Sequence, residues 1–369
     1  MKKILLSSCG LIIIGLTIFL TLKPKETYAV TTTLVDTVIA EASKTLDSAA
    51  YAGNGTGNFR GVYGTHSYTD NEETKYHEYR YVGANVDNFV KFNNDIYRII
   101  GVFDGNSHGQ SGYLVKLIRA KSLISSSWGN YNKTVTNIYD TYNSYANDWT
   151  GTTTGVKANL NVLLNEYFLN KTDTSEDYGA CSNWTYYSSN NNNYKTNDCS
   201  KIVGYGIDNT YRNYIEDVTW YLKGYNSNAY SKGVFYTCER DITGNITGCN
   251  SANNRVYAAT TEGKIGLMYV SDYAYASGYY AELNTTILGS SYYGNKNWLY
   301  NGYEWTITPC SGNATSTFFV GNNGGMYGNY AYFGFASRPS FYLKSSVYVT
   351  GGSGSLADPY TIACDDCDE

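Results

Sequence analysis

Histidine and charged residues are scarce in this sequence. Its 369 residues include 3 His, and Asp, Glu, Lys and Arg together make up 16% of the chain, with a formal net charge of −5. A chain with few and mainly negative charges offers no basic surface to phosphate groups, which excludes nucleic acid as a partner. Solubility must therefore come from uncharged polar residues, chiefly Asn, Ser, Thr, Gly and Tyr.

The scarcity of histidine also limits the chemistry that the chain can support. His66, His77 and His108 are not spaced as metal ligands, and no second Cys or His pair stands near the cysteines in sequence. No His follows Ser271 and Asp272, so they cannot belong to a Ser-His-Asp triad in that order. Adjacent acids at the C-terminal end do not flank a substrate cleft as glycosidase acids do. The sequence therefore predicts no metal, no cofactor and no catalytic residue.

The N-terminus has the pattern of an export signal. Two lysines precede an apolar run at residues 4–22, and Thr27-Tyr28-Ala29 supplies the segment before the cleavage point. This order predicts a signal peptide over residues 1–29, with cleavage before Val30. The apolar run approaches the roughly 20 residues that span a bilayer, so an uncleaved N-terminal anchor is the alternative. In either case the rest of the chain is expected to be extracellular or on the cell surface, and only an uncleaved segment would contact the membrane.

The remaining sequence divides into four predicted regions. Apolar residues at helical spacing within residues 30–50 predict an amphipathic helix. The glycine-rich residues 51–75 lack an apolar period and predict a flexible linker. Residues 76–363 form the predicted globular domain, and residues 364–369 an acidic tail.

Within the globular domain, β-type runs and helices are segregated rather than alternating. The predicted strands are at residues 79–82, 89–92, 96–102, 115–119, 264–269, 305–308 and 341–348. The predicted helices are at residues 160–168 and 272–276, the second capped by Ser271. This arrangement predicts an α+β fold with mixed, mainly antiparallel sheets and a few short helices.

Seven cysteines follow the N-terminal segment, and outside the cell they are expected to oxidise. Two pairs bracket polar loops with few apolar residues and are predicted to be disulfides: Cys181 with Cys199, and Cys238 with Cys249. The pairing of the other three stays open, between Cys364 with Cys367 and either of these with Cys310.

The densest combination of glycine and tyrosine lies just before the last strands, at residues 321–335. Tyrosine gives contact area at low entropic cost, and small polar residues adjust around it, which is typical of binding loops. The stretch therefore predicts a ligand-binding surface that uses Asn322, Asn323, Tyr327 and Tyr330. The alternative is a plain hairpin whose tyrosines alternate into the core, with Tyr330 and Tyr332 inside.

Several long motifs lie between residues 79 and 362. They are Tyr-Arg-Ile-Ile-Gly-Val at 97–102, Val-Lys-Leu-Ile-Arg at 115–119, Trp-Tyr-Leu-Lys-Gly-Tyr at 220–225, Gly-Lys-Ile-Gly-Leu-Met-Tyr at 263–269 and Arg-Pro-Ser-Phe-Tyr-Leu-Lys-Ser at 338–345. These motifs resemble a family of exported Firmicutes and Mollicutes surface proteins known largely as a domain of unknown function. More distantly, the closing strands are similar to those of C-type-lectin-like domains of the formylglycine-generating type. This second resemblance implies a C-type-lectin-like fold.

The sequence departs from both relatives of that fold at their functional motifs. The catalytic cysteine pair of formylglycine-generating enzymes has no counterpart, and the Glu-Pro-Asn and Gln-Pro-Asp triplets of calcium-dependent lectins do not occur. We therefore expect an exported bacterial cell-surface or secreted binding or adhesion module, not an enzyme, whose partner is an extracellular protein or glycan. The alternative is an exported enzyme that acts on cell-wall or glycan material through residues scattered along the sequence.

Overall fold

The structure, a computed structural model, describes much of one compact unit that extends from Thr32 to Glu369. The described residues are 31–42, 61–64, 69–70, 73–74, 78–126, 149–150, 157–171, 185–188, 193–196, 199–222, 224, 235–236, 238–239, 260–277, 297–311, 313, 315–331 and 333–367. The predicted signal peptide or anchor, residues 1–29, lies outside them.

Strands dominate the described part of the chain, and its helices are short. The helices are α1 Leu34–Ala42, α2 Asn159–Val162 continued by a π-helical turn at Leu163–Phe168, α3 Cys199–Gly204, α4 Asn209–Arg212 and α5 Val270–Tyr275, with a 3-10 turn at Gly105–His108. The strands are β1 Gly61–Gly64, β2 Thr69–Asp70, β3 Glu73–Thr74, β4 Tyr79–Val82, β5 Phe89–Phe92, β6 Asp95–Asp104, β7 Tyr113–Arg119, β8 Ile124–Ser126, β9 Thr185–Ser188, β10 Asn193–Thr196, β11 Val218–Tyr221, β12 Thr260–Gly263, β13 Glu304–Pro309, β14 Ser316–Val320, β15 Met326–Tyr330, β16 Phe335–Ser337, β17 Ser340–Leu343, β18 Tyr348–Gly351 and β19 Tyr360–Ala363.

Sheet 1 is built around the long strand β6. Along one edge β6 pairs antiparallel with β5 and then with β4, and along the other edge it pairs with β7. β17 extends the sheet beyond β7, and β1 extends it beyond β4. β19 runs parallel to β5 and carries β18 on its outer side. Strands from the C-terminal end of the chain are thus incorporated among strands from its first third.

Two local features shape sheet 1 around β6. Asn93 and Asn94 form the β5–β6 turn with φ angles of 50° and 58°, the left-handed pair that a two-residue hairpin requires and that Asn tolerates. At Gly101 the register between β6 and β7 shifts, and a Cβ there would overlap the carbonyl oxygen of Tyr79. Glycine at this position therefore allows β4 to lie close against β6.

Sheet 2 consists of β15, β14, β13, β16 and β8 in that order. Strands β13, β14 and β15 form an antiparallel meander that aligns Trp305 with Phe319 and Phe319 with Tyr327. β16 runs parallel to β13, and β8 pairs antiparallel with β16. Aromatic side chains from neighbouring strands therefore lie side by side on one face of sheet 2.

Helix α1 belongs to the same compact unit as the sheets. Leu34 and Val38 are fully buried, and the carboxylate of Glu41 accepts hydrogen bonds from the hydroxyls of Tyr81 and Tyr360 at 3.1 and 2.7 Å. The sequence placed this helix outside the globular domain, but its apolar stripe packs against sheet 1 because an amphipathic helix needs a surface to cover. The predicted linker also differs from the structure, since β1 lies within it and pairs with β4.

Two predicted late strands differ from the structure. Residues 264–269 do not form a ladder, and they are joined to β17 by one bridge in which Gly266 and Ser340 exchange backbone hydrogen bonds of 2.8 and 2.9 Å. The predicted strand at 341–348 is divided between β17 and β18. A turn separates the two, closed by a 3.1 Å hydrogen bond from the Val347 N–H to the carbonyl three residues earlier.

The cap of α5 also differs from the prediction. Tyr269 rather than Ser271 occupies the N-cap position, and its N–H donates to the carboxylate of Asp272 at 2.9 Å. The N–H groups of Val270 and Ser271 donate to the carboxylate of Glu239 at 2.9 and 3.1 Å. A buried acid from a different segment thus satisfies the first turn of this helix, which the sequence had assigned to Ser271.

The fold class is confirmed as α+β with mixed, mostly antiparallel sheets and short helices. In the described part of the chain the parallel pairs are β5 with β19 and β13 with β16, and the other strand pairs are antiparallel. Five predicted strands, at residues 79–82, 89–92, 96–102, 115–119 and 305–308, coincide with β4, β5, β6, β7 and β13. Short runs of apolar and β-forming residues were sufficient to locate these strands.

One of the cysteine pairings that the sequence left open is decided by the structure. Cys364 and Cys367 form a disulfide with a Cα–Cα distance of 5.5 Å, and both are buried, while Cys310 has a buried thiol. The Tyr348 hydroxyl donates to Asp365 at 2.8 Å, so the predicted acidic tail is held against β18. Cys238 takes part in a disulfide. The other members of the two predicted pairs lie outside the described residues: Cys181, Cys249 and the side chain of Cys199.

Candidate binding surface

The four predicted ligand-binding residues lie in and beyond the turn that joins β14 to β15. Asn322 and Asn323 are exposed in the turn, whereas Tyr327 and Tyr330 lie on β15. Side chains three positions apart on a strand point to opposite faces, so the rings of Tyr327 and Tyr330 do not form one surface. Tyr330 is 42% exposed and is therefore not inside the core, which the plain-hairpin alternative required.

The turn is held by its own hydrogen bonds. The Gly321 N–H donates to the Gly325 carbonyl at 2.8 Å, and Gly324 has the left-handed φ of 79° that glycine adopts freely. The side chain of Asn323 accepts from the Gly325 N–H at 3.1 Å and donates to the Tyr327 hydroxyl at 2.6 Å. The amide of Asn323 is thus a structural part of the turn, in addition to being exposed.

The glycines of this turn make room for the ring of Tyr327. A Cβ on Gly321 would come within 2.7 Å of the ring, and one on Gly325 within 3.0 Å of its hydroxyl oxygen. From its other neighbour, Phe319 on β14, the ring centroid of Tyr327 is 5.8 Å away. The tyrosine is therefore fixed between a glycine turn and a buried ring, and it is only half exposed.

Tyr327 is one end of a larger aromatic surface on sheet 2, which we call the aromatic face: Tyr303, Phe319, Tyr327, Phe333 and Phe335. Phe335 is central, with ring centroids at 4.5 Å to Phe319, 5.4 Å to Tyr303 and 6.0 Å to Phe333. The planes of these pairs differ by 25°, 14° and 5°, so the rings are offset and nearly parallel.

Tyr303 is the most exposed ring of the aromatic face. It stacks on both Phe335 and Phe319, which are buried, yet 47% of Tyr303 is exposed. Because one side of its ring is occupied by these two neighbours, the exposed area includes the opposite, flat side. The aromatic face therefore presents a planar ring to the solvent on a close-packed support.

Buried groups hold the aromatic face from behind. Trp305 is fully buried with its ring 4.6 Å from Phe335, and the Tyr273 hydroxyl on α5 donates to the Gly324 carbonyl at 2.8 Å. The hydroxyl of Tyr300 donates to the carbonyl of Asn322. These contacts connect both the rings and the turn to the core, so the surface is preorganised rather than a mobile loop.

The chain that forms most of the aromatic face has no charged side chain. Residues 305–337 contain no Asp, Glu, Lys, Arg or His. The flanking residues Glu304 and Arg338 are charged, but they are buried and pair with each other at 2.6 Å. Burial raises the pKa of the Glu304 carboxyl, and the charge and hydrogen bonds of Arg338 oppose this shift. Residues 305–337 can therefore contribute stacking, apolar contact and neutral hydrogen bonds to recognition, but no charge.

A second group of polar residues, the charge cluster, is buried between sheet 1 and α5: Glu78, Arg80, Lys116 and Asp272. The Asp272 carboxylate binds Arg80 through one oxygen at 2.9 Å and Lys116 through the other at 2.6 Å. Arg80 also donates to Glu78 at 2.8 and 3.1 Å. Both cations thus have carboxylate partners inside the protein.

Aromatic rings surround the two cations of the charge cluster. The Lys116 ammonium lies 4.4 Å from the ring centroid of Tyr269 and 4.8 Å from that of Trp220. The Arg80 guanidinium lies 4.6 Å from that of Phe103. These contacts add cation–π attraction to the ion pairs in a dry environment. Such fully paired, solvent-excluded charges hold β4, β7 and α5 together, and a substrate could not reach them without local unfolding.

Two cavities were considered as alternative sites. One, of about 330 Å³, is lined in part by Trp149, Asp217 and Lys264, and the other, of about 300 Å³, in part by Lys171 and Asp208. Asp217 pairs with Lys264 at 3.3 Å, and Asp208 pairs with Lys171 at 2.6 Å. The second cavity is also lined by Asp95, whose carboxylate pairs with Arg119 at 2.6 Å, so both acids of this cavity are held by cations.

The described residues contain neither a metal-binding cluster nor a membrane-spanning helix. Among them, no three His, Cys, Asp or Glu side chains are grouped to hold a metal ion. No helix of that part of the chain combines the length and apolarity needed to cross a bilayer. The predicted N-terminal apolar segment lies outside the described residues.

Comparison with known proteins gives no match. No protein-family model matches this chain, and neither a curated protein nor a solved structure matches it significantly. The family resemblance and the C-type-lectin-like fold therefore stay predictions.

The sequence identified the turn and Tyr327 but not the rest of the aromatic face. Tyr303, Phe319 and Phe335 belong to different strands, and only the strand order of sheet 2 brings them together. One feature of the sequence could have indicated this region. Residues 305–337 contain no charged residue, whereas charged residues occur on both sides of this stretch.

Proposed function

We propose that this protein is an exported bacterial cell-surface or secreted binding module without catalytic activity, and that the aromatic face is its binding surface. The observation that carries the proposal is the ring of Tyr303, which is 47% exposed while stacked on buried Phe335 at 5.4 Å. An exposed aromatic group on a rigid support is typical of recognition sites, because little flexibility is lost when a ligand binds.

The location of the surface agrees with the proposed C-type-lectin-like fold. Strands β14 and β15 and the turn between them precede the closing strands β16 and β17. In such scaffolds the segments ahead of the closing strands commonly carry recognition, and this analogy supports the proposal as fold-level reasoning. Export rests on the N-terminal signal pattern of residues 1–29.

The buried acids favour a binding role over the enzyme alternative. Burial raises the pKa of the Glu304 carboxyl, and a raised pKa is common in catalytic acids. Glu304, however, is buried against Arg338 rather than placed in a cleft. Asp272 is likewise enclosed by Arg80 and Lys116. These pairings support a structural role for both acids.

The proposal can be tested on an array of glycans and extracellular proteins, probed with the chain from residue 30 to residue 369. The wild type is compared with Tyr303→Ala and with Tyr205→Ala, a matched control. Tyr205 is 45% exposed, does not belong to the aromatic face and has the Arg119 guanidinium 4.3 Å from its ring centroid. We expect Tyr303→Ala to weaken binding to the recognised ligands by about tenfold, and Tyr205→Ala to leave it unchanged.

Two results would contradict the proposal. Binding that is equally strong in the wild type and in Tyr303→Ala would move the binding surface elsewhere. Chemical conversion of a bound glycan, detected by mass spectrometry of the recovered ligand, would favour the enzyme alternative.

A further inference from the structure

We infer that the ligand of the aromatic face is an uncharged saccharide chain, bound by stacking on Tyr303 and without calcium. This inference rests on the proposed function and adds the chemical class of the ligand. It depends on three properties of the surface: the uncharged chain that forms most of it, its exposed ring and its extended shape.

The first property is that the chain segment carrying most of the rings has no charged residue. No residue from 305 to 337 is ionisable at neutral pH apart from the weakly acidic Cys and Tyr, and Glu304 and Arg338 neutralise each other inside the protein. A strongly anionic ligand would bury its charge against this surface without a counter-ion, which is unfavourable. A cationic ligand would meet no carboxylate from residues 305–337. A neutral ligand has no charge to desolvate there.

The second property is the planar side of Tyr303. A pyranose ring presents C–H groups on one face and hydroxyl groups around its edge. The C–H groups carry a slight positive charge, and an aromatic ring is slightly negative above its plane, so the two faces attract each other. Because Tyr303 is fixed by Phe335 and Phe319 beneath it, a sugar can stack on it without first ordering the ring.

Neutral hydrogen-bonding groups border the rings, as a sugar requires. The side chain of Asn322 is exposed, and it makes no hydrogen bond within the described part of the chain. Its amide has two donors and an acceptor that can serve hydroxyl groups. The neighbouring amide of Asn323 is used to hold Tyr327, so Asn322 is the amide of this turn that we assign to the ligand.

The third property is that the surface is extended. The rings of Tyr303 and Tyr327 lie on either side of Phe319, with centroids 6.1 and 5.8 Å from it. No residue of the aromatic face lines either cavity described above. One sugar ring covers only one of these tyrosines, so we expect a saccharide chain to bind more tightly than a monosaccharide.

A proline-rich peptide is the main competing ligand, because aromatic surfaces also bind such peptides. Those peptides usually lie in grooves between aromatic side chains, whereas the rings here are nearly parallel and leave one flat side exposed. The flat arrangement favours a saccharide, and the peptide is included as a test.

The experiment is calorimetric titration of the chain from residue 30 to residue 369. The probes are neutral oligosaccharides of glucose, N-acetylglucosamine, mannose and galactose with their monosaccharides, a hyaluronate oligosaccharide and a proline-rich peptide. All titrations contain a calcium chelator and are repeated at low and high salt. The proteins are the wild type, Tyr303→Ala, Tyr303→Phe, Asn322→Ala and the control Tyr205→Ala.

The inference predicts that at least one neutral oligosaccharide binds, more tightly than its monosaccharide and with the same affinity at both salt concentrations. Tyr303→Ala should weaken binding about tenfold, while Tyr303→Phe should stay within about twofold because the ring is kept. Asn322→Ala should weaken binding by several fold through the loss of hydrogen bonds.

Each other outcome overturns the inference in a distinguishable way. Failure of every neutral saccharide to bind at millimolar concentration overturns the ligand class. Binding of the peptide or of hyaluronate that depends on Tyr303 also overturns the class, but it leaves the proposed binding surface intact. Saccharide binding that is unchanged in Tyr303→Ala overturns both the class at this site and the proposed surface.

Discussion

The charge cluster and the aromatic face distribute charge in opposite ways. The charge cluster places two cations and two carboxylates in the interior, whereas the chain that forms most of the aromatic face has no charge over residues 305–337. Buried ion pairs are directional and cannot be rearranged without leaving a charge unpaired, so they favour one packing of β4, β7 and α5. The aromatic face depends on shape. In this chain, therefore, some charges fix the fold, while most of the proposed recognition surface is formed by uncharged residues.

The largest expected effect comes from removing the acid shared by the two cations. In Asp272→Ala, Arg80 keeps Glu78, but Lys116 stays buried without its carboxylate. We expect the free energy of unfolding to fall by about 4 kcal/mol in urea denaturation. Lys116→Met should cost less, because Asp272 keeps its bonds to Arg80 and the Tyr269 N–H. Equal losses in the two variants would show that Asp272 is not the centre of the cluster.

A smaller, pH-dependent effect is expected at the ion pair behind the aromatic face. Arg338→Met leaves the Glu304 carboxyl buried without its counter-ion, and we expect a loss of about 3 kcal/mol near neutral pH. Removing Arg338 also removes the group that lowers the pKa of Glu304, so that pKa rises further above its ordinary value of 4.5. The folded variant then holds a proton that the unfolded chain has released, so its stability falls as pH rises above 4.5 and recovers as pH falls toward that value.

This recovery can be assigned to Glu304 with a second variant. Glu304→Gln combined with Arg338→Met has no titrating group at this position. Unfolding in urea at about pH 7 and about pH 5 should show the recovery in Arg338→Met but not in the double variant. Recovery of the same size in both would assign the pH dependence to other residues.

A change of intermediate size tests the support of Tyr327. The added Cβ of Gly321→Ala comes within 2.7 Å of the Tyr327 ring, so the ring or the turn must move. We expect a loss of about 1–2 kcal/mol and weaker ligand binding. Gly204→Ala is the control, because a Cβ there meets nothing within 4 Å. Unfolding and binding measured on the same samples should change together for Gly321→Ala and not for Gly204→Ala.

The smallest effect on stability is expected for Tyr303→Ala. The exposed ring loses its stacking on Phe335 and Phe319, which is worth about 1 kcal/mol. Thermal unfolding should therefore shift only slightly, although binding is strongly reduced. A stability loss as large as that of Arg338→Met would show that Tyr303 is a core residue, and its place in the binding surface would have to be given up.

Local patterns in the sequence were sufficient for the central strands. Residues 89–92 are apolar except for Lys91, and residues 96–102 are largely apolar. These two runs correspond to β5 and β6, respectively. The α5 cap could not be predicted in the same way. Ser271 is a suitable cap by its side chain, but Glu239, from a different segment of the chain, already binds the first N–H groups of this helix.

The sites were less predictable than the strands because their members are far apart in sequence. Lys116 and Asp272 are 156 residues apart, and in the sequence each reads as an ordinary solvated charge. The binding surface was predicted from composition within one stretch, which identified the turn and Tyr327. It could not assign Tyr327 and Tyr330 to opposite faces until both were known to lie on the single strand β15, because side chains three positions apart alternate only within a strand.

The pairing of early and late strands in sheet 1 has a consequence for the biogenesis of the protein. β19 completes the edge of β5, and β17 completes the edge of β7, although more than half of the chain is made between them. During synthesis the early strands are made long before the late strands that pair with them, and contacts of such long sequence separation form slowly. We therefore expect sheet 1 to form only when the chain is almost complete. That delay suits a protein whose proposed route leads through a narrow translocation channel as an extended polypeptide.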